Sequence, residues 1–308
     1  MAEVSVTQVK ELRERTGAGM MDCKRALGES DGDIEAAIEA LRAKGLAAAA
    51  KKGGRVAAEG LIGLVLEPGR GALVEFNAET DFVARNEVFQ GLVRRLTELA
   101  LRHEGDVEAV CTAPYPDTAH SVAEEITHQI ATLGEKLDLR RTACLTVSPG
   151  VVAGYVHGAL TPGLGRIGVL IALRSDAASK PLGALGHQIA MHIAAANPLA
   201  VTTAELDPTV VEQERRILRE QARQTGKTDE IIEKMVEGRL RKFYQDSVLM
   251  EQPYVIDPDQ TVAQAIEAVA SELGMSIEVS GFIRYNRGEG IERKDADFAA
   301  EVAAQVGS

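Results

Sequence analysis

Gly163, Gly165 and Gly168 fall in the GxGxxG spacing that can cradle a pyrophosphate. That chemistry needs a helix N-terminus directly after the glycines, so that backbone N–H groups meet the phosphate. Here the glycines run into the apolar stretch IGVLIAL, which reads as a strand, so they are expected to form a hairpin turn. His187 and His192 are five residues apart, which places them on different faces of a helix, where a shared metal needs four. Neither has a Cys or carboxylate at ligand spacing, and both read as ordinary structural histidines. Cys23, Cys111 and Cys144 are odd in number and far apart, without CxxC spacing, and read as reduced thiols of a cytosolic protein. GxSxG, GxxxxGK[ST] and HExxH are all absent from the sequence. The expectation is a protein that is not an enzyme, with no catalytic residues, no cofactor and no metal of its own.

Two segments point to docking instead. Thr80-Asp81-Phe82-Val83-Ala84-Arg85-Asn86 joins a strand to a helix and sets an aromatic beside an acid. Phe82 either staples the start of that helix or stands outward as an apolar probe; the residues alone leave both open. Met20-Met21-Asp22-Cys23-Lys24 follows a TGAG break, and its paired methionines suit either core filling or an adaptable docking surface.

The rest of the chain must position these segments. Its 308 residues suggest about two domains with a smaller module, and 45% hydrophobic content supplies a core. A net charge of −12 disfavours direct binding to nucleic acid or to an anionic membrane. No run of 18 apolar residues would span a bilayer, and the N-terminus lacks the apolar core of a signal peptide. A cytoplasmic location is expected.

Residues 1–45 read as three short helices. Ser5 or Thr7 caps the first, and Asp31-Gly32-Asp33 is a turn and cap before the third. Residues 60–103 and 153–198 read as two copies of one plan, with strands Leu61–Leu66 and Ala72–Asn77 in the first and Gly154–Leu160 and Ile167–Leu173 in the second. Each pair is followed by a helix, and the PGxG turns are offset by 94 residues. His120–Leu137 reads as a helix between the copies. Asp207 to Phe243 reads as a charged helical hairpin with Val211, Leu218 and Ala222 at heptad-like spacing, either packed on the body or projecting from it. A further helix and the strand Ile277–Tyr285 follow. The tail carries an amphipathic helix with Phe298.

The strings LRERTGAGMMDCKRAL, TDFVARN, HIAAANP, KMVEGRLRKF and GFIRYNRGEGIE, in that order, resemble the bacterial elongation factor Ts family from end to end. The resemblance implies an exchange factor that docks on elongation factor Tu and promotes GDP release, acting on the partner's Mg-GDP site. It implies an α+β fold with a ubiquitin-associated-like three-helix domain and linker over 1–54. A duplicated core would follow, its N-subdomain at 55–140 and its C-subdomain at 141–200 and 246–285. An inserted antiparallel coiled-coil hairpin at 201–245 and a C-terminal helical module at 286–308 complete it. By position, Asp81 and Phe82 would enter the partner near the magnesium and phosphates, and Met20, Met21 and Lys24 would seat the N-terminal domain. Leu133, Gly134, His157, Val255 and Phe298 match further contacts. A homodimer through the hairpin is compatible with this plan. The alternative is a scaffold or assembly protein that leaves nucleotide release unchanged.

Overall fold

The structure is a computed structural model, described here for residues 4–16 and 18–292. Three helices open it: α1 (Val6–Thr16), α2 (Met20–Glu29) and α3 (Ile34–Lys52). Ser5 caps α1 by accepting from the Gln8 amide, while the Gln8 side chain accepts from the Ser5 amide, a reciprocal box that satisfies free donors at both positions. The Asp33 carboxylate caps α3 by accepting from Glu35 and Ala36. Val9, Leu12, Cys23, Leu27 and Ala37 close a small core. The AAAAKK stretch continues α3 rather than forming a separate linker helix.

The first sheet holds β1 (Glu59–Glu67) and β2 (Arg70–Ala78), followed by α4 (Asp81–Ala84), α5 (Glu87–Arg102), α6 (Val107–Thr112) and α7 (Val122–Leu133). Next come β3 (Leu137–Thr146), β4 (Gly150–His157), β5 (Leu164–Gly165), β6 (Ile167–Arg174) and α8 (Ser179–Ala196). The chain continues through α9 (Pro208–Arg223), α10 (Asp229–Ser247), β7 (Pro253–Tyr254), β8 (Asp257–Thr261), α11 (Val262–Leu273) and β9 (Glu278–Asn286). The mixture is α+β. One sheet has the order β3-β2-β1-β5, a second β4-β6-β9, and β7-β8 is a small hairpin.

Side-chain alternation explains the layering. In β2, Ala72, Val74, Phe76 and Ala78 face the cluster of α5, whereas Leu73 faces the other sheet. In β6, Val169, Ile171 and Leu173 face α8, whereas Leu170 and Ala172 meet Ile62, Leu73 and Val152 between the sheets. Both strands are thus buried on both faces, which is why β6 reads as a continuous apolar run, a pattern that Glu75 and Asn77 break in β2. The sheets approach closely at Gly168, where a Cβ would come within 2.5 Å of Ile62 and 2.8 Å of Leu73.

Several expectations need correction. The helix after His120 ends at Leu133, because Gly134 adopts a left-handed φ of 79° and terminates it. Leu137, expected at that helix's end, instead starts β3, a strand that pairs with β2. β3 runs across the boundary placed between residues 140 and 141. β9 likewise runs one residue past the 285/286 boundary. β4 spans Gly150–His157 rather than Gly154–Leu160. The glycines at 163–168 lead into a strand as expected, yet Leu164–Gly165 does more than turn: it pairs with Ile62 and Gly63 of β1 and stitches the second half to the first sheet. Phe298 lies outside the described residues.

The α9–α10 hairpin has its own apolar seam of Leu218, Ala222, Ile232, Val236 and Leu240. Val211, Phe243 and Tyr244 at its base join Ala200, Leu206 and Val248. Among the described residues, no helix is long and apolar enough to cross a membrane.

Candidate functional site

The TDFVARN segment is a single helical turn held on three sides. Val83 and Ala84 of α4 point into the core beneath α5. Asn86 caps α5 by accepting from the Val88 amide at 2.8 Å, and its own N–H bonds to Val83 O. Thr80 donates from its amide (3.0 Å) and hydroxyl (2.5 Å) to the two oxygens of Glu135. Residues on both sides of Phe82 are therefore fixed, and its ring is left 79% exposed. Phe82 does not staple α5; its neighbours Val83 and Ala84 anchor the turn instead. Asp81 is also exposed, 3.6 Å from Arg85 on the same turn.

Glu135 follows directly on Gly134 and Leu133, so its bonds to Thr80 bring the end of α7 beside the Phe82 turn. Leu133 is half-buried against the core and Gly134 is exposed. α7 also meets the three-helix unit: His128 Nε2 bonds to Thr16 O, and Arg42 pairs with Glu124. That unit carries Met20, Met21 and Lys24 on the exposed side of α2, Met21 at 69% exposure, while Cys23, Ala26 and Leu27 of the same helix are buried. Asp81, Phe82, Leu133, Gly134 and the Met20–Met21–Lys24 face thus all stand on helices linked through α7.

His157 and Val255 belong to the other half. His157 is exposed at the end of β4, its Nδ1 3.2 Å from the Tyr155 hydroxyl. Val255 is 52% exposed at the tip of the β7–β8 hairpin, next to exposed Ile256. Tyr155 packs edge-on against His187 of α8, and the Tyr254 hydroxyl reaches Gln188 of that helix at 3.5 Å. α8 is therefore the scaffold that these two residues share, and the structure does not join them to the Phe82 group.

The Val255 tip is set by a buried polar pair. His192 Nδ1 accepts from the Val255 amide at 3.2 Å, so its Nε2–H donates to Gln252 Oε1 at 2.8 Å. Gln252 in turn donates to Asp246 O at 2.8 Å. Burial pushes the His192 pKa down, against the effect of Gln252, which keeps the ring neutral in the tautomer this chain of bonds requires. Replacing His192 with Leu should orphan the buried Gln252 carbonyl, at about 1–3 kcal/mol, and also remove the acceptor of the Val255 amide. A lowered denaturant midpoint with an unchanged slope would report this; an unchanged midpoint would contradict it.

Three residues that form or position this surface have little or no signal in the sequence. Ile256 follows Val255 in an exposed apolar pair, Glu135 is the clamp on Thr80, and His192 read only as an ordinary histidine. Exposed apolar residues in sequence (Val255-Ile256) before Asp257-Pro258 could have marked the hairpin tip. Nothing local marks Glu135, whose role depends on a partner 55 residues away. Among the described residues, no group of three or more His, Cys, Asp or Glu side chains could hold a metal ion.

The chain was compared with known proteins. A family model described as Elongation factor TS matches residues 79–289. A protein named Elongation factor Ts from Rhodospirillum centenum is 55% identical over 307 residues, covering 100% of both chains. Proteins of the same name from Agrobacterium fabrum and Sphingopyxis alaskensis are each 55% identical, the first covering 99% of both chains and the second 100%.

Proposed function

The chain belongs to the elongation factor Ts family, and we propose that it serves translation elongation as a guanine nucleotide exchange factor for elongation factor Tu, promoting GDP release so that GTP can bind. The observation that carries this reading is Phe82, a large apolar ring held in solvent by a turn anchored through Thr80, Val83, Ala84 and Asn86. Exchange is a linkage problem: a factor that weakens nucleotide binding is itself weakened by nucleotide to the same degree. Docking must then supply the free energy that distorts the nucleotide pocket, and an aromatic moving from water into a protein cleft supplies part of it.

In this reading Asp81 and Phe82 press on the magnesium and phosphate end of the partner's site. Met20, Met21 and Lys24 seat the three-helix unit, whose form suits a ubiquitin-associated-like domain. Leu133 and Gly134 add to the same contact. His157 and Val255, on their separate scaffold, hold other parts of the partner, and Phe298 adds a contact from the C-terminal module. The α9–α10 hairpin acts as an antiparallel coiled coil available for self-association. The protein contributes docking energy and no group to bond-making, needs no cofactor, and works in the cytoplasm without touching nucleic acid or membrane.

The experiment is stopped-flow release of fluorescent GDP from elongation factor Tu. The chain should accelerate release in proportion to its concentration until the complex saturates. A scaffold would bind elongation factor Tu and leave the release rate unchanged, which would overturn the reading.

A further inference from the structure

The seam between the three-helix unit and α7 is loosely filled: a cavity of about 460 Å3 lies between them. Polar bridges cross this seam beside the apolar packing of α3 on α7. His128, on α7, is half-buried in the cavity wall and has an acceptor on each side. Nε2 faces the carbonyl oxygen of Thr16, at the C-terminal end of α1. Nδ1 faces Glu125 Oε1 at 3.8 Å, an ion-pair distance, and is buried with no hydrogen-bond partner. Glu125 is itself buried and accepts from Gln129 Nε2 at 2.7 Å. A neutral imidazole has one donor, so either neutral tautomer would set a lone pair against an oxygen. Only the doubly protonated ring answers both acceptors.

We infer that His128 is a positioning residue that, as an imidazolium, clamps the α1–α2 turn onto α7 and so sets the Met20–Met21 face relative to the Phe82 turn. The electrostatics agree with the geometry. The Glu125 carboxylate raises the His128 pKa against the effect of burial, with help from the Thr16 carbonyl. His128 in turn holds Glu125 down at about 2, again against burial, with Gln129 and His120 assisting. The other charged groups of the seam are matched to one another. Arg15 of α1 pairs with Glu35 at 2.6 Å, Lys44 of α3 with Asp22 of α2 at 2.5 Å, and Arg42 of α3 with Glu124. His120, before α7, stands 3.5 Å from the other oxygen of Glu125. Tyr115, beyond Glu125, has its pKa raised by burial and by that carboxylate, and so stays neutral. The two histidines that meet Glu125 are thus where the seam changes charge near neutral pH, and of the two it is His128 that bonds to Thr16 O.

The sign follows from a pKa raised in the folded state. The clamp is complete below the ordinary histidine range and is lost as pH rises through the higher native value, about tenfold in the docking equilibrium for each unit of elevation. Its consequence for exchange rests on the exchange-factor reading; the clamp itself does not.

The test uses the full-length chain. Amide hydrogen exchange of the α1–α2 turn, corrected for the intrinsic pH dependence, is followed from about pH 6 to 9. Wild type should lose about tenfold in protection per unit of His128 elevation, while α10 stays unchanged. His128→Gln and Glu125→Gln should show the low protection at every pH. Coincident profiles for wild type and His128→Gln would overturn the clamp, as would a neutral His128 ring at pH 6 by nitrogen NMR. Stimulated GDP release, divided by the intrinsic rate at each pH, should fall with pH in wild type and stay flat in His128→Gln. Stimulation with the same pH profile in both would overturn the positioning role. A clamp seen in the free chain, with no stimulation by wild type at any pH, would instead overturn the exchange reading and leave the clamp standing.

Discussion

Phe82→Ala should slow stimulated GDP release by at least about tenfold while leaving the fold intact. The ring is 79% exposed, so its removal takes almost nothing from the chain's own core, and such surface changes stay within about ±0.5 kcal/mol of stability. Burying a Phe side chain fully in the partner is worth about 1.5–3 kcal/mol. Each 1.4 kcal/mol corresponds to about tenfold in an equilibrium. The loss should appear in the rate of GDP release at saturation if the ring acts on the nucleotide-bound state, whereas the contacts proposed for Met20, Met21 and Val255 should keep the two proteins together. Equal stimulation by Phe82→Ala and wild type, at saturating concentration, would show that the ring plays no part. Phe82→Leu, with a smaller apolar side chain, should fall between the two.

The second large effect concerns stability. Glu75 is fully buried on the inter-sheet side of β2. Its carboxylate accepts from Arg140 (3.0 Å) and Arg141 (2.6 Å) of β3, from Asn77 (3.2 Å) and from the Gly288 amide (2.7 Å). Burial alone would raise its pKa; the Gly288 amide and the two arginines outweigh burial and hold it below the ordinary carboxylate range. Gly288 has φ of 71°, and a Cβ there would sit 2.3 Å from Ala58 O, so only a glycine brings its backbone so close. Arg141 also lies over the Tyr285 ring at 4.1 Å. One carboxylate thus joins β2, β3 and the segment after β9.

Glu75→Ala leaves two guanidinium groups facing a void. Removing one partner of a buried pair typically costs about 3–5 kcal/mol, and because both arginines are partly solvated the lower end, about 3, is expected. The group's pKa is depressed on folding, so its stabilising contribution is present at neutral pH and is lost as pH falls through the native value. Chemical denaturation at pH 7 and again in mild acid should show the wild type losing part of the difference. Glu75→Gln should lack that part of the acid dependence. A Glu75→Ala midpoint equal to wild type at pH 7 would contradict the assignment.

Particular residues show what was legible in the sequence and why the rest was not. The strands β1 and β6 were readable because sheets buried on both faces impose apolar runs, β2 because its apolar residues outnumber Glu75 and Asn77, and α5 and α8 because their buried residues recur every three or four positions. β3 was hidden. Its LDLRRTACLT run carries Arg140 and Arg141 in the middle, where arginines argue against a buried strand until Glu75 is known to meet them. A register shift opposite Glu75 and Phe76 breaks the alternation further. α6 is six residues long, too short to show a period. Leu164–Gly165 looked like a turn because its pairing partner in β1 is a hundred residues distant.

The proposed docking surface divides in the same way. Its apolar members, Met20, Met21, Phe82 and Val255, carry identity in the sequence but not exposure, and exposure is what separates a probe from a core residue. For Phe82 it was decided by Val83 and Ala84 turning inward and by Glu135 holding Thr80. The residues that aim these side chains, Glu135, His128 and His192, act through partners 55, 112 and 63 positions away. No local pattern encodes such pairs.

The most direct measurement places a photoreactive benzoylphenylalanine at position 82 and irradiates the complex with nucleotide-free elongation factor Tu. The adduct should map by mass spectrometry to the partner's GTPase domain beside the segments that hold magnesium and phosphate. An adduct confined to another domain, or to this chain itself while the complex is fully formed, would contradict the account.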